Sequence, residues 1–200
     1  MSNFGTCLAV AAALVLASEA AAAPAAPISA ASTAQARVLR QMQIHKVADL
    51  GLEIWVENQP VWETQLSAIT GNPTFVAQSP EGYHPPTVMT YTSFPKEKVP
   101  TANLAGMASS AIQRASQNFG LNIAQARNLD IVDTQYGSLI GFEARFKGLA
   151  DKVPMDVVVF VGQAPGKFPV ALSVYTLRGK MGNLDEHRRR AWGKLKYLPR

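Results

Sequence analysis

Three histidines, one cysteine and fourteen Asp and Glu residues are the groups from which this chain could build acid, base, nucleophile or metal chemistry. Their spacing does not build it. His45, His84 and His187 form neither His-x-His nor His-Glu-x-x-His, so a metal hydrolase lacks its ligands. Gly137-Ser138-Leu139-Ile140-Gly141 comes nearest to a nucleophile elbow, but its spacing is wrong and it leads into a strand. No Gly-rich phosphate cradle occurs. The pairs Asp130/Asp133 and Glu53/Glu57 are too ordinary to specify a general acid and base. A single cysteine, Cys7, excludes an internal disulfide framework and any multi-cysteine metal site. The expectation is therefore a non-enzyme with no cofactor and no metal. A cryptic hydrolase working through His84 is the minor alternative.

The residues that could bind are of another kind. Residues 178–200 hold eight Lys and Arg against Asp185 and Glu186, a net of +6 where the whole chain carries +5. The remainder nets −1, so the basic character belongs to one terminal segment. Arg188, Arg189, Arg190, Lys194 and Lys196 are either the solvated face of an amphipathic helix or a docking surface for an acidic partner or an anionic envelope polymer. Nucleic acid is disfavoured, because stacking aromatics are not interleaved with these cations beyond Trp192 and Tyr197. Tyr83 and His84 stand between Gly82 and Pro85-Pro86, a stiffened loop of the kind that presents binding groups. Trp55, between Glu53 and Glu57, is either a core residue or an outward interface residue. His187 is expected to border the core rather than hold a metal.

The elements that must position these groups follow from periodicity. Residues 52–57 (LEIWVE) and 61–69 (VWETQLSAI) read as strands, as do 74–77 and 87–94, with 79–86 (SPEGYHPP) a loop. Apolar residues at three- and four-residue spacing from Leu104 to Phe119 predict a helix over 101–119, with Thr101 as N-cap and Gly120 just past its end. Three strands should follow. Residues 139–147 alternate, with Glu143, Arg145 and Lys147 toward water, and 155–161 (MDVVVFV) form an apolar central strand. Residues 168–177 complete the set. A last helix starts at Asn183, with Leu184, Ala191, Trp192, Leu195 and Leu198 as its buried stripe. These elements predict an α+β fold, an antiparallel-rich sheet with two packed helices, over residues 41–200.

Ahead of that domain, Cys7 to Ala17 (CLAVAAALVLA) is an apolar run of 11 residues, too short for the ~20 that span a bilayer. Followed by small residues, it reads as a secretory signal over residues 1–22, although MSNFGT carries no basic side chain. Cys7 opens the run rather than following it, so it is not placed as a lipid-modified cysteine. Residues 23–40, rich in Ala, Pro and Ser, read as a tether. The expected location is periplasmic or secreted, with no transmembrane segment in the mature chain.

The order of elements resembles the PsbP/DcrB-type α/β/α sandwich family. The residues that carry the likeness are GLEIWVEN with QPVWE, the hairpin PTFVAQSPEG to PPTVMTYTSF, the long helix, then LIGFEARFKG, VPMDVVVFVG and FPVALSVYTLRG, and the closing helix ending KLKYLPR. The resemblance implies a non-catalytic binding or assembly module of the envelope, an adaptor, assembly factor or immunity-type protein acting on another envelope protein. It transfers no functional residue. The alternative is a periplasmic carrier of a small apolar ligand held between the sheet and the 101–119 helix, whose stripe includes Ala108, Ala111 and Ala115.

Overall fold

A computed structural model describes residues 42–69, 71–97 and 99–199. The expected signal segment and tether lie outside the described residues. The chain forms β1 (Met42–Val47), β2 (Leu52–Glu57), β3 (Glu63–Ile69), β4 (Asn72–Gln78) and β5 (Thr87–Ser93). It continues with α1 (Leu104–Asn118), α2 (Ile123–Arg127), β6 (Ile131–Tyr136), β7 (Leu139–Ala150), β8 (Val153–Gln163) and β9 (Val170–Leu177). The last elements are α3 (Asp185–Gly193) and β10 (Lys196–Tyr197).

Seven strands make one antiparallel sheet in the order β3-β4-β5-β9-β8-β7-β6, and β1-β2-β10 make a second, smaller one. The α+β expectation holds, with the single expected sheet divided in two. The large sheet is covered on both faces. On one face Ala108 and Ile112 of α1 pack with Ala144, Phe146, Val157, Val159 and Val161. On the other, Leu52, Ile54 and Val56 of the small sheet join Ala191 and Trp192 of α3 against Phe75, Tyr91, Val158, Phe160 and Leu172. Burial on both sides explains why β8 is apolar without alternation. The alanine stripe of α1 seats directly on β7 and β8: a small side chain lets a helix backbone approach a sheet closely.

Helix α1 ends as its sequence dictates. Gly120 takes φ +82, its N–H bonds to the carbonyl of Gln117, and the Leu121 N–H bonds to that of Ser116. That pair of bonds is a Schellman stop, which needs a residue free to adopt a left-handed conformation. Its start differs from expectation. Thr101 opens a single 3-10 turn and Asn103 occupies the cap position without a side-chain bond. Likewise Asn183 lies inside a 3-10 turn, and Leu184 precedes α3. Strands β1, β6 and β10 and helix α2 have no counterpart in the sequence reading.

Candidate functional site

The basic segment divides at Trp192. Ahead of it, Arg188 is 0% exposed, lying across the rings of Tyr136 and Trp192 at 5.5 and 5.2 Å. Its Nη1 donates to Glu143 Oε2 at 2.6 Å and to the Tyr136 hydroxyl, and its Nη2 donates to Asp185 Oδ1 at 3.0 Å. Tyr136 in turn donates to Glu143, and Arg145 Nε donates to the second Glu143 oxygen at 2.9 Å. This corrects two expectations. Arg188 is not on a docking face, and Glu143, at 3% exposure, does not face water. The reason is common to both: α3 closes the face of β7 that alternation alone assigns to solvent. A buried guanidinium persists only when paired, and this one is paired three times.

Tyr83 is also buried. Its hydroxyl donates to Glu57 Oε2 at 2.7 Å, and His187 Nδ1 lies 3.5 Å from the same oxygen. Trp62 stacks on His187 with ring centroids 5.2 Å apart and meets Tyr83 edge-on. Carboxylate, imidazole and phenol thus converge, a grouping that could move protons if a substrate reached it. Glu57, Tyr83 and His187 are all buried, so the cluster serves to anchor α3 and the 79–86 loop to the end of β2. Tyr83 is therefore no presented binding group. His84, beside it, is exposed, and among the described residues it makes no hydrogen bond or ion pair. Among the described residues no three His, Cys, Asp or Glu side chains gather into a metal site. No described helix is long and apolar enough to cross a membrane.

Beyond Trp192 the arrangement opens. Trp55, Ser138, Gly193, Lys194, Leu195 and Lys196 line a groove of about 410 Å³. Lys194 Nζ sits 4.5 Å above the Trp55 ring, a cation–π contact. Lys196 is exposed, 3.9 Å from Glu53. Strand geometry makes this surface: Leu52, Ile54 and Val56 turn into the core, so Glu53 and Trp55 turn out. Cross-strand register adds Lys46 beside Glu53 and Ile44 beside Trp55, with Lys196 on the other flank of Glu53. Ile44 is 45% exposed. The far wall is the β6–β7 turn, where Gly137 (φ +58) touches the end of α3: a Cβ there would lie 2.3 Å from the Gly193 carbonyl oxygen. Only glycine allows that approach.

Of the residues singled out from sequence, the fold therefore brings Trp55, Lys194 and Lys196 together. Arg189 is exposed on α3 outside this groove, and Arg190 is engaged in an i,i+4 pair with Glu186 at 2.8 Å. The sequence reading missed Ser138 at the groove, Ile44 and Lys46 on the neighbouring strand, and Glu57, Tyr136 and Glu143 in the interior. Glu143 carried one available signal, a lone acid flanked by Phe142 and Ala144 in a strand between two others.

The fold belongs to the α+β class, two antiparallel sheets with helices on opposite faces of the larger. No protein-family model matches the chain, and no curated protein matches it. Among solved structures, a protein from Bacteroides thetaiotaomicron VPI-5482 aligns over 78% of this chain at a TM-score of 0.52 and 7% identity. The chain spans about half of that protein, 48% of its length. PA94 of Pseudomonas aeruginosa, a protein of unknown function, aligns over 80% of this chain and 99% of its own, at TM-score 0.43 and 7% identity. LpqN of Mycobacterium tuberculosis, involved in cell envelope biogenesis, aligns over 74% of this chain and 83% of its own, at 0.42 and 9%. These likenesses are of fold alone.

Proposed function

We propose that this chain is an exported, non-catalytic accessory module that binds another protein of the cell envelope, through the Trp55 groove. The observation that carries the reading is the convergence of Trp55, Lys194 and Lys196 on one exposed groove, while Arg188 and Tyr83 are spent on internal bonds, Arg190 pairs with Glu186, and Arg189 and His84 lie outside the groove. An aromatic anchor beside an exposed aliphatic side chain, rimmed by lysines, is the anatomy of a protein-binding patch. The signal-like first 22 residues and the resemblance to PsbP/DcrB-type envelope helpers support the location and the class.

Lysine-directed crosslinking of the tagged mature protein in its native envelope, followed by purification and mass spectrometry, tests it. A stoichiometric protein partner crosslinked through Lys194 or Lys196, and lost in the Trp55→Ala/Lys194→Glu/Lys196→Glu variant, is the expected result. No partner above background overturns the reading, as does equal capture by the variant.

A further inference from the structure

We infer that the Trp55 groove takes an acidic, extended segment of its protein partner, one in which Asp or Glu stands two residues from an apolar side chain. The inference rests on the protein-binding reading above and adds the chemistry of the occupant.

Charge is the first argument. Across the outer face of the small sheet the register sets Lys46, Glu53 and Lys196 in one row, with Lys194 beyond Trp55. Glu53 is the acid of that row and its side chain is only 17% exposed, whereas the Lys196 side chain is 69% exposed. Three ammonium groups against one sheltered carboxylate leave a positive surface, and residues 1–177, at net −1, supply no wider field to account for it. An acidic occupant completes it. The Lys194 ammonium is already held over the indole, so less side-chain freedom is lost when an anion docks there.

The second argument is spacing. The basic row lies next to an apolar one, Ile44 beside Trp55. Leu195 turns into the core between Lys194 and Lys196, which both stay exposed. Both rows lie on one face of the sheet, two residues apart along β2, which is the spacing of the i and i+2 side chains that an extended strand turns to one side. The geometry also opposes a flat sugar ring stacked on Trp55, because Lys194 occupies that position over the indole.

The test is fluorescence anisotropy of the full mature chain with a labelled octapeptide repeating Glu-Ser-Ile-Ser, which turns Glu and Ile to one side when extended, and with its Gln-for-Glu counterpart. The Glu peptide should bind at least about tenfold tighter at low salt and weaken as salt rises. Lys194→Glu/Lys196→Glu should lower its affinity by about tenfold or more, while Arg189→Glu, outside the groove, should change it less than about twofold. Lys194→Gln/Lys196→Gln, which reverses no charge, serves if the first double variant does not fold. Equal affinity for the Glu and Gln peptides overturns the inference, as does binding indifferent to both lysine variants. Displacement of the peptide by a soluble polyuronate or by phosphatidylglycerol vesicles, each at lower charge concentration than the peptide, overturns it in favour of a glycan or a membrane. A captured envelope partner whose crosslinked stretch is not acidic sinks this inference and leaves the protein-binding reading standing. Failure to capture any partner sinks that reading itself.

Discussion

Arg188 and Lys194 are six residues apart in one basic segment, and their environments are opposite. Arg188 lies in the interior with its charge spent on Glu143, Tyr136 and Asp185. Lys194 lies at the surface over Trp55, with Lys196 close by, facing a groove. The first arrangement holds α3 on the large sheet; the second is free to meet a partner. A run of like charge is thus no functional unit. What each cation does depends on whether a carboxylate is waiting inside the fold, and Arg is the residue suited to the inside because its planar fork serves several acceptors at once.

Breaking the interior half should have the largest effect. Arg188→Ala leaves the Glu143 carboxylate buried without its main partner, and should cost about 3–5 kcal/mol in urea denaturation. Arg188→Met combined with Glu143→Leu should recover most of that loss, since neither charge then remains buried. A cost for Arg188→Ala below about 1 kcal/mol would show that the network is solvated, and the contrast with Lys194 would disappear.

The hinge between the two halves comes next. Gly137→Ala forces a Cβ against the Gly193 carbonyl at a positive φ, and should destabilise by about 1–3 kcal/mol while weakening whatever binds the adjacent groove. Unchanged stability with unchanged binding would mean that the turn does not shape the wall.

Alkaline titration sharpens the comparison further. Burial pushes the Tyr136 phenol upward, the Glu143 hydrogen bond adds to the shift, and Arg188 opposes it. Tyr197, also raised by burial, is pushed up to about 12. Both phenols ionise near pH 10 when unfolded. Their contribution to stability is therefore complete below pH 10 and is lost as pH rises through the folded values. Denaturation midpoints should fall steadily above pH 10, with phenolate absorbance from these two rings appearing together with unfolding. Ionisation of both in a chain that is still folded would contradict their burial.

The smallest effect belongs to the exposed half of the helix. Arg190→Ala removes an exposed i,i+4 pair with Glu186 and should cost no more than about 0.5 kcal/mol in the same denaturation assay. A larger cost would place Arg190 with Arg188 rather than with the surface.

Much of the architecture was legible. The period of Leu104 to Phe119 and the glycine after it specified α1 and its stop, and the unbroken apolar run in β8 announced burial on both faces. β1 was not legible, because Gln43 and His45 occupy two of the three positions that pair across from buried apolar residues of β2 and so hide the alternation. β6 (IVDTQY) was hidden because it is an edge strand with Val132, Asp133 and Gln135 exposed, so its apolar residues do not alternate. Of the groove, Trp55, Lys194 and Lys196 could be nominated from residue type, but Ser138 could not, and the neighbouring Ile44 and Lys46 lay on the unrecognised strand.

The sequence by itself determined local periods, turns and caps, since these depend on neighbours within a few residues along the chain. It could count charges but not place them. The partner of Arg188 stands 45 residues away in the chain, and the ring beneath Lys194 is further still. Only the packing of α3 and the small sheet onto the second face of the large sheet decided which cation would be desolvated and which would face water. Desolvation costs several kcal/mol per unpaired charge, so that choice is made by which carboxylates the tertiary fold brings within reach.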